Sequence, residues 1–98
     1  MHLFDDRVQV DPEPVKAGGK ARITYNGLLA KSGADQVYLH YGVDGWKRPQ
    51  TVYMDKIGDR FQCEVKTTAT VSKLDFCFKD SADHWDNNGG LNWRVDVI

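Results

Sequence analysis

The chain has 98 residues, 41% of them hydrophobic, and a formal net charge of −1 with both signs scattered along it. One domain of that length buries roughly 60–65% of its unfolded surface without staples, and the near-neutral charge excludes the basic field that nucleic acid or an anionic membrane demands. No apolar run approaches the ~20 residues of a membrane span. The opening Met1-His2-Leu3-Phe4-Asp5-Asp6 lacks a secretory signal's basic start and apolar stretch, so a cytoplasmic chain, or a piece cut from a larger protein, is expected.

In chain order the sequence reads as strands and turns. Val8 and Val10 alternate with polar neighbours until Pro12 and Pro14 stop the pairing. Ala17-Gly18-Gly19-Lys20 is a turn. Ala21, Ile23 and Tyr25 form the next alternating run, ending at the turn signal Asn26-Gly27. Residues 28–35 read as a loop with one apolar pair. Val37, Leu39, Tyr41 and Val43 then alternate with Gln36, Tyr38 and His40 up to Asp44-Gly45. A short irregular piece, Trp46 to Pro49, precedes a strand holding Val52 and Met54. Gly58-Asp59 turns the chain into a strand with Phe61, Cys63 and Val65.

The last two strands flank one unusual loop. Leu74, Phe76 and Phe78 alternate with Asp75, Cys77 and Lys79, and Leu91, Trp93, Val95 and Val97 repeat the pattern. Between them, Lys79 to Trp93 carries Trp85, His84 and the run Asn87-Asn88-Gly89-Gly90, whose residues tolerate positive φ. Seven short strands, each with one apolar face, bury those faces best as two packed antiparallel sheets. The fold expected is an all-β, immunoglobulin-like antiparallel sandwich of about seven to nine strands forming a single domain over 1–98; a small barrel is the alternative.

Cys63 shares the inward parity of Phe61 and Val65, whereas Cys77 opposes Phe76 and Phe78 and is expected to face outward, reactive toward thiol reagents. Side chains on opposite faces cannot form a disulfide. The three histidines show no zinc-ligand spacing, and Asp80, Asp83, Asp86 and Asn88 lack the spacing of a calcium loop. No metal, no cofactor and no nucleophile motif is expected.

Tryptophan 85 sits in mid-loop and Trp46 follows a turn that His40 precedes, so each indole either folds onto the core or is displayed to meet something flat. Trp93 shares the parity of Val95 and Val97 and is expected in the core. Displayed, Trp46 and Trp85 with His40 on the polar face of its strand would make a shallow platform. Indole covers the C–H face of a pyranose while polar groups bond its hydroxyl rim; Lys47, Asp86 and Asn88 are the candidates for that rim. Two rings set at an angle suit a curved chain of α-linked glucose.

The elements Tyr38-Leu39-His40-Tyr41-Gly42-Val43-Asp44-Gly45-Trp46, Leu74-Asp75-Phe76-Cys77-Phe78-Lys79-Asp80 and Trp85-Asp86-Asn87-Asn88-Gly89-Gly90 together resemble the starch-binding carbohydrate-binding modules of families 25 and 53. The resemblance implies an immunoglobulin-like sandwich, no catalysis, and a starch site lined by His40, Trp46 and Trp85. It implies α-1,4-linked glucan (starch, glycogen or malto-oligosaccharides) as partner, with a glucan-active enzyme in the same pathway or polypeptide, and an extracellular location if the parent enzyme is secreted. Neither nucleic acid nor membrane is an expected partner. Two other readings remain: a protein-interaction domain using the same tryptophans as a hot spot, and a small enzyme using the carboxylates between Asp80 and Asp86.

Overall fold

The computed structural model describes residues 7–12, 14–88, 90 and 92–98, with the backbone alone of His2–Leu3. The expected residues Gly89 and Leu91, and most of the opening hexapeptide, lie outside that set.

Among the described residues, a strand stands at each of the seven places read from the sequence: β2 (Val8–Asp11), β3 (Lys20–Tyr25), β4 (Val37–Val43), β5 (Lys47–Tyr53), β7 (Arg60–Lys66), β8 (Lys73–Asp80) and β10 (Trp93–Asp96). β5 departs from its expected bounds, since the piece expected to be irregular is strand from Lys47 on and Met54 lies outside it. Three strands of two or three residues join them: β1 (His2–Leu3), β6 (Asp55–Ile57) and β9 (Trp85–Asp86). One sheet has the order β1-β2-β3-β7-β6; the other has β10-β8-β4-β5, with β9 also paired to β8. The orders β2-β3-β7-β6 and β10-β8-β4-β5 are the immunoglobulin A-B-E-D and G-F-C-C′ arrangements. The chain is an antiparallel β-sandwich of that type.

Period two explains the core. Val8, Val10, Ala21, Ile23, Tyr25, Phe61 and Val65 point in from the first sheet, and Val37, Leu39, Leu74, Phe76 and Phe78 from the second. Tyr25 stacks on Phe78 with centroids 4.1 Å apart, tying the sheets together. Trp93 is 3% exposed and packs edge-on to Phe78, as its parity demanded. Met54 breaks the expected strand: it is fully buried where the chain leaves β5 for β6, and its N–H donates to the Val37 carbonyl at 3.0 Å. The chain changes sheets at this residue, so Val52 and Met54 belong to no single strand.

The expected loop at 28–35 opens with a one-turn helix, α1 (Leu28–Lys31), that closes one end of the sandwich. Gly27 precedes it under strict steric need. A Cβ there would lie 2.5 Å from the Tyr25 ring and 2.8 Å from the Asp86 carboxylate.

Candidate functional site

The second sheet turns its outer face to solvent, and β4 and β8 present Tyr38, His40 and Gly42 there beside Lys79, Cys77 and Asp75. His40 is half-buried, with Nδ1 2.9 Å from the Thr51 Oγ1 on β5. That bond fixes the imidazole ring between the two loops that flank it.

One loop is the turn bearing Trp46. Asp44, Gly45 and Trp46 have φ of 49°, 87° and 67°, three successive residues in the left-handed region. Non-glycine residues hold that conformation only when their surroundings over-determine it. Here the Asp75 carboxylate accepts from the Gly45 and Trp46 N–H groups at 3.0 and 3.4 Å. Asp44 Oδ1 accepts from the Ser72 N–H, the Ser72 hydroxyl and the Lys73 N–H, each at 2.9 Å. These bonds hold the Asp44 carboxyl below its ordinary range. Gly42 lies directly beneath: a Cβ there would meet the Trp46 Cα at 2.7 Å and its carbonyl carbon at 2.9 Å. The Gly42 position and the Asp75 position thus set the height and tilt of one indole.

The other loop is the hairpin from β8 to β9. Asp80 Oδ1 accepts from the Ala82 and His84 N–H groups at 2.9 and 2.8 Å, and Oδ2 lies 2.9 Å from His84 Nδ1. Those backbone donors and the imidazole hold the Asp80 carboxyl below its ordinary range. The hairpin returns β9 along β8, with Trp85 opposite Lys79 and Asp86 opposite Phe78. Period two then sends Trp85 out and Asp86 in. Trp85 is 47% exposed, with Lys79 Nζ 5.4 Å from its ring centroid.

Three rings gather as a result. The His40 centroid is 5.6 Å from Trp46 at an interplanar angle of 22°, and 5.5 Å from Trp85 at 82°. Since 82° less 22° leaves 60°, the two indole planes are inclined by at least that much. The arrangement offers two angled apolar faces with an imidazole between them and cationic Lys79 at one side.

Two of the three rim candidates are engaged elsewhere. Asp86 is 6% exposed and faces the interior, accepting from the Tyr25 hydroxyl at 2.6 Å. Adjacent strand residues point to opposite faces, so Trp85 outward requires Asp86 inward. Asn88 is occupied as a clasp: Arg7 donates to its Oδ1 at 3.0 Å, and its Nδ2 donates to the Asn92 carbonyl at 3.1 Å. Lys47 is exposed and pairs with Val43, just past the point where the register of β4 and β5 shifts. The polar groups that do border the rings are Thr51, paired opposite His40, and Lys79, which alternation in the sequence sets on the face of Cys77.

Cys77 also departs from expectation. It does face outward, opposite His40, yet is only 5% exposed, because the rings and their loops roof that stretch of β8. Burial pushes its thiol up to about 11, and the Cys63 thiol up to about 12. Both thiols are free and buried. Among the described residues, no three His, Cys, Asp or Glu side chains are grouped to hold a metal ion.

Residues 21–76 match the family model described as a starch/carbohydrate-binding module of family 53. The chain is also 35% identical over 92 residues to an alpha-amylase of Clostridium acetobutylicum, an alignment covering 93% of this chain and 12% of the amylase. It thus spans about an eighth of that relative's length. No solved structure matches. The matched span runs from β3 into the first half of β8 and includes His40, Trp46, Gly42 and Asp75, whereas Trp85 lies beyond it. The chain belongs to the starch/carbohydrate-binding modules of family 53.

Proposed function

We propose that the chain binds α-1,4-linked glucan without catalysis, through a platform formed by Trp46, His40 and Trp85. The observation that carries this reading is the pair of indoles, Trp85 exposed and Trp46 half-buried, inclined by at least 60° about one imidazole. A flat, extended glucan presents its faces in one plane and would engage one ring; a helical α-glucan turns successive rings and can engage both. His40 and Thr51 supply hydrogen-bonding groups between the indoles, and Lys79 donates at the Trp85 side. Starch, glycogen and malto-oligosaccharides share this chemistry, so all three are ligands in this reading. The alpha-amylase relative supports a role in holding a glucan-active enzyme on its polymer.

The surface is open, and each sugar hydroxyl exchanges a water bond for a protein bond at small net gain. Affinity for maltoheptaose is therefore expected at Kd of roughly 10 µM to 1 mM, or about −4 to −7 kcal/mol. If an exposed indole contributes about 1–3 kcal/mol, by analogy with bases stacked on aromatic side chains, Trp46→Ala and Trp85→Ala each weaken binding several-fold to a hundred-fold. Calorimetric titration of maltoheptaose, with cellohexaose as control, checks this. Wild-type affinity in both variants would overturn the platform.

A further inference from the structure

The outer face does not end at Trp85. Beyond it the hairpin Asp80–Trp85 and the segment Leu28–Asp35 enclose an open groove of about 800 Å³, within the size range of small-ligand sites. Trp85 forms one wall and α1 the other. Leu28 is 61% exposed on that wall, and with Trp85 it leaves two large apolar side chains in water across one concavity. Leu29 and Ala34 continue the apolar floor.

Polar groups line the same groove in a particular state. Asp80 has its carboxylate committed to the hairpin, and Asp83 is paired to Lys79 at 2.6 Å. Asp35 and the Ser32 hydroxyl, by contrast, have no side-chain partner among the described residues. A groove with an apolar floor and unpaired acceptors at its edge matches a pyranose, whose C–H face is apolar and whose rim donates hydroxyl protons. It suits neither an anion, which the carboxylate repels, nor a purely apolar ligand.

Position completes the argument. Along β4 and β8 the order from one end is Gly42 with Trp46, then His40 with Cys77, then Tyr38 with Lys79 and Trp85, then the groove. A glucan lying on the platform and leaving past Trp85 enters it directly. We infer that this groove is an extension subsite, binding further glucose units of the same α-glucan chain through Leu28, Trp85, Asp35 and Ser32. The inference rests on the platform reading.

The test compares chain lengths. Maltotriose and maltoheptaose are titrated into the wild type, Leu28→Ser, Asp35→Ala and Trp46→Ala, with a melting curve for each. The wild type is expected to prefer maltoheptaose, and Leu28→Ser and Asp35→Ala to lower the maltoheptaose-to-maltotriose affinity ratio several-fold. Both residues are exposed, so the variants are expected to melt as the wild type does. A wild type with no length preference, or variants keeping the wild-type ratio, overturns the subsite. Trp46→Ala separates the two ideas: if it binds maltotriose as the wild type does, the platform itself has failed.

Discussion

Asp75 is 3% exposed and Asp86 is 6% exposed, and each stands beside one of the two outer tryptophans. Asp75 holds Trp46 from below, accepting from two N–H groups of its turn while the Arg94 side chain donates to the other carboxylate oxygen. Asp86 holds Trp85 from within the chain: its own burial against Tyr25 pins the two-residue strand to which Trp85 belongs. The first arrangement fixes a backbone in an otherwise unfavourable conformation. The second leaves ordinary strand geometry and relies on one inward side chain. An exposed aromatic ring contributes little packing of its own, so its orientation comes from a buried polar residue nearby. The cost of orienting the two outer tryptophans thus falls on buried residues behind them.

The widest contrast is with the tryptophan that needs no such support. Trp93→Ala is expected to lose roughly 3–5 kcal/mol of stability, because its ring packs on Phe76 and Phe78. Trp46→Ala and Trp85→Ala are expected to melt close to the wild type. Thermal melts of the three variants break the comparison if an outer tryptophan proves as costly as Trp93.

Next come the carboxylates. Asp86→Ala leaves the buried Tyr25 hydroxyl without its acceptor, a loss of about 1–3 kcal/mol, and should weaken maltoheptaose binding through a displaced Trp85. Asp86→Asn keeps an acceptor oxygen and should retain most of both. Urea denaturation paired with glucan titration reads the two effects. Equal losses in Asp86→Ala and Asp86→Asn would show that charge, not the Tyr25 bond, is what matters.

Gly42→Ala sharpens the comparison from the other side. Its Cβ would intrude on the Trp46 backbone, so binding is expected to fall toward that of Trp46→Ala while Trp85 stays in place. Maltoheptaose titration at wild-type level in Gly42→Ala would mean the turn adapts freely and Asp75 does not fix it.

The smallest effect is acid dependence. Asp44 has its folded pKa lowered from the ordinary 3.8 by the Ser72 and Lys73 bonds. Its contribution is therefore present above that value and lost as pH falls through the lower folded pKa. Melting temperatures of wild type and Asp44→Asn are expected to differ by a constant amount from pH 7 to 5 and to draw progressively together as the pH falls below about 4. A gap that does not narrow at all as the pH falls below about 4 would assign the acid sensitivity elsewhere.

Much of this was written in alternation. Period two located seven strands, the core role of Trp93 and the outward facing of His40, because a sheet buried on one face forces those choices. It failed where burial does not follow parity. Cys77 and Asp75 were readable as outward but not as covered, since the cover comes from loops distant in sequence. Asp86 was assigned to the rim from its chemistry, although its place next to an outward Trp85 already required the opposite face. The groove beyond Trp85 was invisible, being formed by a helical turn and a hairpin about fifty residues apart. Native thiol titration marks the correction: neither Cys63 nor Cys77 is expected to react before unfolding, and a rapidly labelled Cys77 would reopen its roof.

The chain crosses to its second sheet early and closes late. β4 is flanked by β8, and an isolated parallel bridge joins Val15 to Val97, with the Ala17 N–H donating to the Ile98 carbonyl at 2.6 Å. Partners this far apart in sequence must search a large loop before any contact rewards them, which places the domain among slow folders, on the order of milliseconds to seconds. During synthesis the first sheet cannot complete before β7 emerges, and the face that carries His40 has no β8 beside it until later still. The outer face that carries Trp46, His40 and Trp85 is therefore among the last surfaces to form, and a nascent chain exposes Trp46 without the strand that will hold it.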